Sequence, residues 1–165
     1  MESRAKIFGH PVHTMLIVFP LGLLATSVIF DLIYLSSSNT SWAGHSYVMI
    51  AAGVVSGLIA AVFGFIDYRA IPKGTRARNI GALHGIGNVF VIGFFLASWL
   101  VRKDLPLHVP NAVALSLSIA AFLIASVTGW LGGELVDRLG VGVDEGANVD
   151  APSSLKISKL KTFRP

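Results

Sequence analysis

Ser46-Tyr-Val-Met-Ile-Ala-Ala-Gly-Val-Val-Ser-Gly-Leu-Ile-Ala-Ala-Val-Phe-Gly-Phe-Ile66 contains no charged side chain. As a helix rising about 1.5 Å per residue, such a run reaches across a hydrocarbon layer about 30 Å thick. Val109 to Gly133 is a second charge-free run. Thr14 to Leu35 is interrupted only by Asp31, and Ile80 to Val101 only by His84, which can be neutral. Four transmembrane helices are predicted. The composition agrees, because a chain of 165 residues that is 53% hydrophobic and 13% charged is too apolar for an ordinary water-soluble domain. The first run continues past Leu24 to Tyr34 without an Ala-x-Ala type site, so it reads as a retained helix rather than a cleaved leader.

Two stretches read as copies. His13-Thr-Met-Leu-Ile-Val18-Phe19-Pro-Leu-Gly22 aligns without gaps on His84-Gly-Ile-Gly-Asn-Val89-Phe90-Val-Ile-Gly93. Leu58-Ile-Ala-Ala-Val62-Phe-Gly64-Phe65-Ile66 aligns on Leu123-Ile-Ala-Ser-Val127-Thr-Gly129-Trp130-Leu131. The expected fold is all-α: a four-transmembrane-helix bundle built from two tandem helical-hairpin repeats. Residues 1–143 form the membrane domain, and residues 144–165 a flexible cytoplasmic tail. Within that tail Lys156, Lys159, Lys161 and Arg164 read as solvated rather than lipid-bound.

Arg4 and Lys6 precede the first helix, Arg69, Lys73, Arg76 and Arg78 fill the second loop, and Arg138 follows the fourth helix. The third loop has only Arg102 and Lys103, and the first has neither type. Both termini and the second loop are therefore assigned to the cytoplasm. The pI of 9.7 is a topology signal on this reading, and no nucleic-acid partner is expected. Absence of cysteine removes disulfides, iron–sulfur ligation and cysteine nucleophiles. No nucleophile elbow, His-Glu-x-x-His motif or phosphate-binding glycine loop is present, which speaks against a hydrolase. Glycines inside the spans, such as Gly53, Gly57, Gly85 and Gly93, allow close helix packing, and a homodimer would bury further glycine-rich surface.

On this topology His10, His13, Asp67, His84, Asn88 and Glu134 all fall at cytoplasmic helix ends. His10 and His13 share a helix face if the first helix begins by Pro11. Any one of these residues alone is best read as a helix-end or ion-pair residue. Gathered on one leaflet from four helices, they read as a site. Imidazoles with carboxylates suit a divalent metal, and two imidazoles from two helices suit the axial positions of a b-type haem. The expectation is a metal or haem site in an electron-transfer or redox-associated subunit. His13 and His84 are the ligands, with His10, Asp67 and Glu134 as further ligands or hydrogen-bond partners. No catalytic residue is assigned. A small proton-linked carrier is the alternative, and a non-catalytic assembly partner the third. At the outer end the repeat sets Asp31 against Arg102, read as a salt bridge, while His45 and His108 form a weaker candidate pair in loop-like sequence.

Gly9-His10-Pro11-Val12-His13, Phe19-Pro20 with Asp31, Gly64-Phe65-Ile66-Asp67-Tyr68, Leu83-His84-Gly85 and Gly129-Trp130-Leu131-Gly132-Gly133-Glu134-Leu135 together resemble a bacterial family known as domain of unknown function 2231. The resemblance covers roughly residues 7–143. It implies a small four-helix protein of the bacterial inner membrane without an established activity. Some family members are fused to a Rieske-type iron–sulfur domain after the segment that here is Gly140-Val141-Gly142-Val143. The resemblance therefore implies a redox setting and a Rieske-type partner.

Overall fold

A computed structural model describes residues 1–155. The basic cluster from Lys156 to Arg164 lies outside the described residues. A two-residue hairpin pairs β1 (Lys6–Ile7) with β2 (His10–Pro11). Then come α1 (Val12–Leu16) and α2 (Val18–Ser37), which together make one span, followed by α3 (Thr40–Ala70), α4 (Arg76–Lys103) and α5 (Ala112–Gly133). A π-helical turn, Glu134–Arg138, extends α5. The break between α1 and α2 sits one turn before Pro20, whose missing N–H leaves the Leu16 carbonyl without its helical donor.

All four spans are long and apolar enough to cross a membrane. Apolar side chains such as Val55, Leu58 and Val62 on α3 point away from the protein, as a lipid-facing surface requires. Sheets play no part in the bundle. Its middle is a cluster of Leu24, Val28, Ile50, Val54, Val91, Phe95 and Ala121.

Three side chains set where the later helices begin. Asn39 accepts from the Ser41 N–H, Thr75 from Arg78 and Asn111 from Ala114. Each satisfies a donor that the first helical turn leaves open. The Asn39 cap starts α3 at Thr40, so the segment from Thr40 to Gly44, ahead of the charge-free run, is already helix. His45 is therefore helical, which corrects its placement in loop-like sequence.

Residues 1–11, short and polar ahead of the first span, are ordered. They form the hairpin, tied down at several points. The Ser3 hydroxyl donates to both oxygens of Asp67 at 2.8 Å, and the Arg4 backbone N–H donates to Asp67 at 2.7 Å. Lys6 pairs with Glu2 and Asp144, and the Met1 and Gly142 backbones are joined at 2.8 Å.

Buried positions recur between the first and third spans. Leu24, Ser27 and Asp31 have Phe95, Ser98 and Arg102 as counterparts 71 residues later, all buried. On α3 and α5 the buried Ser46, Ile50, Gly53 and Ala60 have Ala114, Ser118, Ala121 and Thr128 as counterparts 68 residues later. The gap-free sequence alignment pairs these two helices 65 residues apart instead, displaced by about one helical turn.

Candidate functional site

Pro11, in extended conformation, leads directly into α1, so His13 stands in the first turn of the first span. Its Nδ1 lies 2.9 Å from the Ala60 carbonyl oxygen on α3. A carbonyl oxygen only accepts, so Nδ1 carries the proton and donates. Gly64, one turn beyond Ala60, makes room for the ring: a Cβ there would fall 2.8 Å from Cε1 of His13. On the second hairpin, between α4 and α5, the arrangement recurs. His84 Nδ1 donates to the Thr128 carbonyl at 2.9 Å, and Gly132, one turn beyond, lies against the His84 ring.

Both imidazoles thus rest on a neighbouring helix at a glycine, fixed through Nδ1. Their Nε2 atoms differ. His13 Nε2 has no hydrogen-bond partner among the described residues, whereas His84 Nε2 accepts from the Asn88 amide at 3.2 Å. Asn88 also donates to the His84 carbonyl and accepts from Thr128.

The other expected site residues go elsewhere. Asp67 is occupied by Ser3, Arg4 and Ala5, so it anchors the N-terminal segment instead of closing a ring. It does not pair with Arg69 or Arg76. Glu134 is ion-paired with Arg76. His10 sits in β2, not on the helix, so it shares no helical face with His13, and its Nε2 meets the Ser154 hydroxyl at 3.4 Å. Among the described residues no group of three or more His, Asp or Glu side chains is placed to hold a metal ion. Of the five residues anticipated as ligands, His13 and His84 are the two whose rings are anchored on a neighbouring helix, His84 with Asn88 and Thr128 beside it.

At the opposite end Asp31 and Arg102 form the expected ion pair, with both side chains at 0% exposure. Each guanidinium nitrogen of Arg102 is used. Nη1 and Nη2 each reach a carboxylate oxygen at 2.7 Å, and they also donate to Ser46 and Ser118, while Nε donates to Ser98. All four spans meet at this residue. The three serines were missed by sequence reasoning, though Ser98 stands 71 residues after Ser27, the same spacing that separates His13 from His84.

Asp31 is 18 residues from His13, and Arg102 is 18 from His84, so the ion pair and the histidines lie about 27 Å apart along the bundle. The apolar cluster of Leu24, Val54, Val91 and Phe95 fills the interval. His45 and His108 do not form a pair. His45 packs in a cluster with Phe30 and Trp42, while His108 stacks on Tyr47 at 3.9 Å and Tyr47 on Trp99.

Residues 9–145, most of the chain, match the model of a family described as predicted membrane protein, DUF2231. No curated protein and no solved structure matches the chain.

Proposed function

The chain belongs to the DUF2231 family of membrane proteins, and from that premise we propose that His13 and His84 would hold a b-type haem in an electron-transfer or redox-associated subunit. One observation carries the reading: each imidazole is held through Nδ1 by a backbone carbonyl of a neighbouring helix. That bond fixes the tautomer in which Nε2 keeps its lone pair, which is how ligating histidines are oriented. A pair of imidazoles without a carboxylate favours haem over a carboxylate-bound divalent ion. Haem iron between two imidazoles would supply reversible one-electron chemistry.

His13 offers Nε2 directly. His84 offers it once the Asn88 amide turns away, so Asn88 sets access to the second ligand position. Asp67 and Glu134 act at a distance, Asp67 by tethering the segment before His13 and Glu134 by tethering the start of α4 through Arg76. The concentration of Arg and Lys at the histidine end supports a cytoplasmic placement for it, in a bacterial inner membrane. A Rieske-type redox partner follows from the family resemblance, and a homodimer from the glycines left on the lipid-facing surface. The apolar cluster between the two polar ends is reason to rank a proton-linked carrier below this reading, because it interrupts any chain of hydrogen-bonding groups.

The test is spectroscopic. The protein purified in mild detergent and supplied with haem is expected to show a Soret band at one haem per chain. His13→Ala and His84→Ala should each abolish it, while Asp67→Asn and Glu134→Gln retain it. A wild-type protein without the band overturns the proposal. Stoichiometric Zn, Mn or Fe in its place returns the site to the metal reading.

A further inference from the structure

The hairpin before α1 turns through Phe8 and Gly9, with φ of 51° and 86°. Positive φ at both central residues is the type I′ turn, whose first position favours Asn, Asp or Gly. Gly9 suits its place twice over, because a Cβ there would also fall 2.7 Å from the Ser154 side chain. Phe8 suits its place not at all by backbone preference, since a β-carbon in the left-handed region is strained. Nor does burial compensate, for its ring is 77% exposed and its neighbour Ile7 is 49% exposed.

The turn is nonetheless held rigidly. Ser3 and Arg4 bond Asp67 at the end of α3, Val12 donates to the Ala5 carbonyl, and Lys6 pairs with Asp144. Phe8 stands four positions before Val12, where the first span begins, so its Cα lies at most about 14 Å from the start of the span. A bilayer's polar layer extends roughly 5–8 Å beyond the hydrocarbon on each side. Exposed Arg4, Arg69 and Lys73 belong to the same end, and none of them has a carboxylate partner among the described residues. An exposed apolar tip beside unpaired cations is the combination that inserts into an anionic membrane surface.

We propose that Ile7 and Phe8 form an interfacial wedge, inserted between the headgroups of the leaflet at the histidine end. The wedge fixes the depth of the first span and of His13 behind it. This inference is independent of the haem reading, because it concerns a surface and not the imidazoles.

The absence of native cysteine makes the test direct. Phe8→Cys carries an environment-sensitive NBD label on the full chain in nanodiscs containing phosphatidylglycerol, which leave both faces open to solutes. Val149→Cys, at a fully exposed position of the tail, is the reference. Iodide is expected to quench the label at position 8 at least threefold less effectively than at position 149. Lipids spin-labelled near the headgroup should quench position 8 and leave 149 unaffected. Equal iodide access at both positions overturns the proposal, as does a position 8 shielded from iodide and lipid alike, which would mean that protein covers it. Ile7→Cys reads the same surface should a label in the turn disturb it.

Discussion

A glycine can be worth more than the side chain it accommodates, and Gly64 and Gly132 test this against each other. An added Cβ at position 64 would stand 2.8 Å from the His13 ring, closer than atoms tolerate, but at position 132 it would stand 3.3 Å from the His84 ring. Gly64→Ala must therefore push His13 off the Ala60 carbonyl, at a cost of about 1–3 kcal/mol for overpacking. Gly132→Ala should cost clearly less. Thermal unfolding of the two variants in one detergent checks the order, and equal midpoints would show that the rings move freely. Asn88→Ala removes the donor to His84 Nε2, so haem affinity is expected to rise several-fold. A fall in affinity would mean that the amide positions the ring. Outside the membrane, its partners Asp144 and Glu2 hold the Lys6 amine above the usual lysine range. The shift is upward, so the contribution of these pairs is fully present at neutral pH and is lost only as pH rises through the elevated value, above about 10.5. Amide exchange in the hairpin should accordingly be unchanged by this group from pH 6 to 9. At this scale the histidines were legible because two aligned segments both open on one. Their acceptors were not, because a backbone carbonyl leaves no mark in the sequence.

Helices are fastened at the far end by the Asp31–Arg102 pair, and here the sign of a substitution depends on whether one partner or both are changed. Asp31→Asn strands a cation that no water reaches, and Arg102→Gln strands a carboxylate. Breaking a buried pair in this way costs about 3–5 kcal/mol, whereas exchanging both charges for apolar groups of similar volume is often neutral or favourable. The double change Asp31→Leu with Arg102→Met is therefore expected to unfold later in sodium dodecyl sulfate than either single variant. A double variant no better than the singles would show that the three serines, not the carboxylate, carry the fastening. The pair was visible in the sequence as opposite charges at matched positions of two apolar spans. The serines around it were hidden, since a serine in an apolar run reads equally as a small packing residue. Element boundaries were misread where one cap was overlooked: Asn39 begins α3 a turn and a half before the apolar run does, and this carries His45 into the helix.

The molecule as a whole has two unlike ends. One carries the paired imidazoles, the hairpin and the exposed cations, and the other carries a neutralised ion pair under aromatic stacks. Hydrophobicity alone specified four spans, and the number of helices was secure from it. Which end faces the cytoplasm is a question of charge, and the cations at the histidine end decide the expectation. Cysteines placed at Lys73 and at Asp104 sample the two ends in a chain that offers no other thiol. In intact cells a membrane-impermeant maleimide should label Asp104→Cys at once, and Lys73→Cys only after the membrane is opened. The reverse pattern would place the histidines on the outer side. It would leave the Arg and Lys residues of the second loop against the translocated leaflet, contrary to the bias that orients short loops. It would also bring His13 and His84 to the side where secreted redox proteins reside. On the haem proposal the orientation would decide which class of electron donor could reach the histidines, and the labelling pattern tells the two cases apart before any partner is sought.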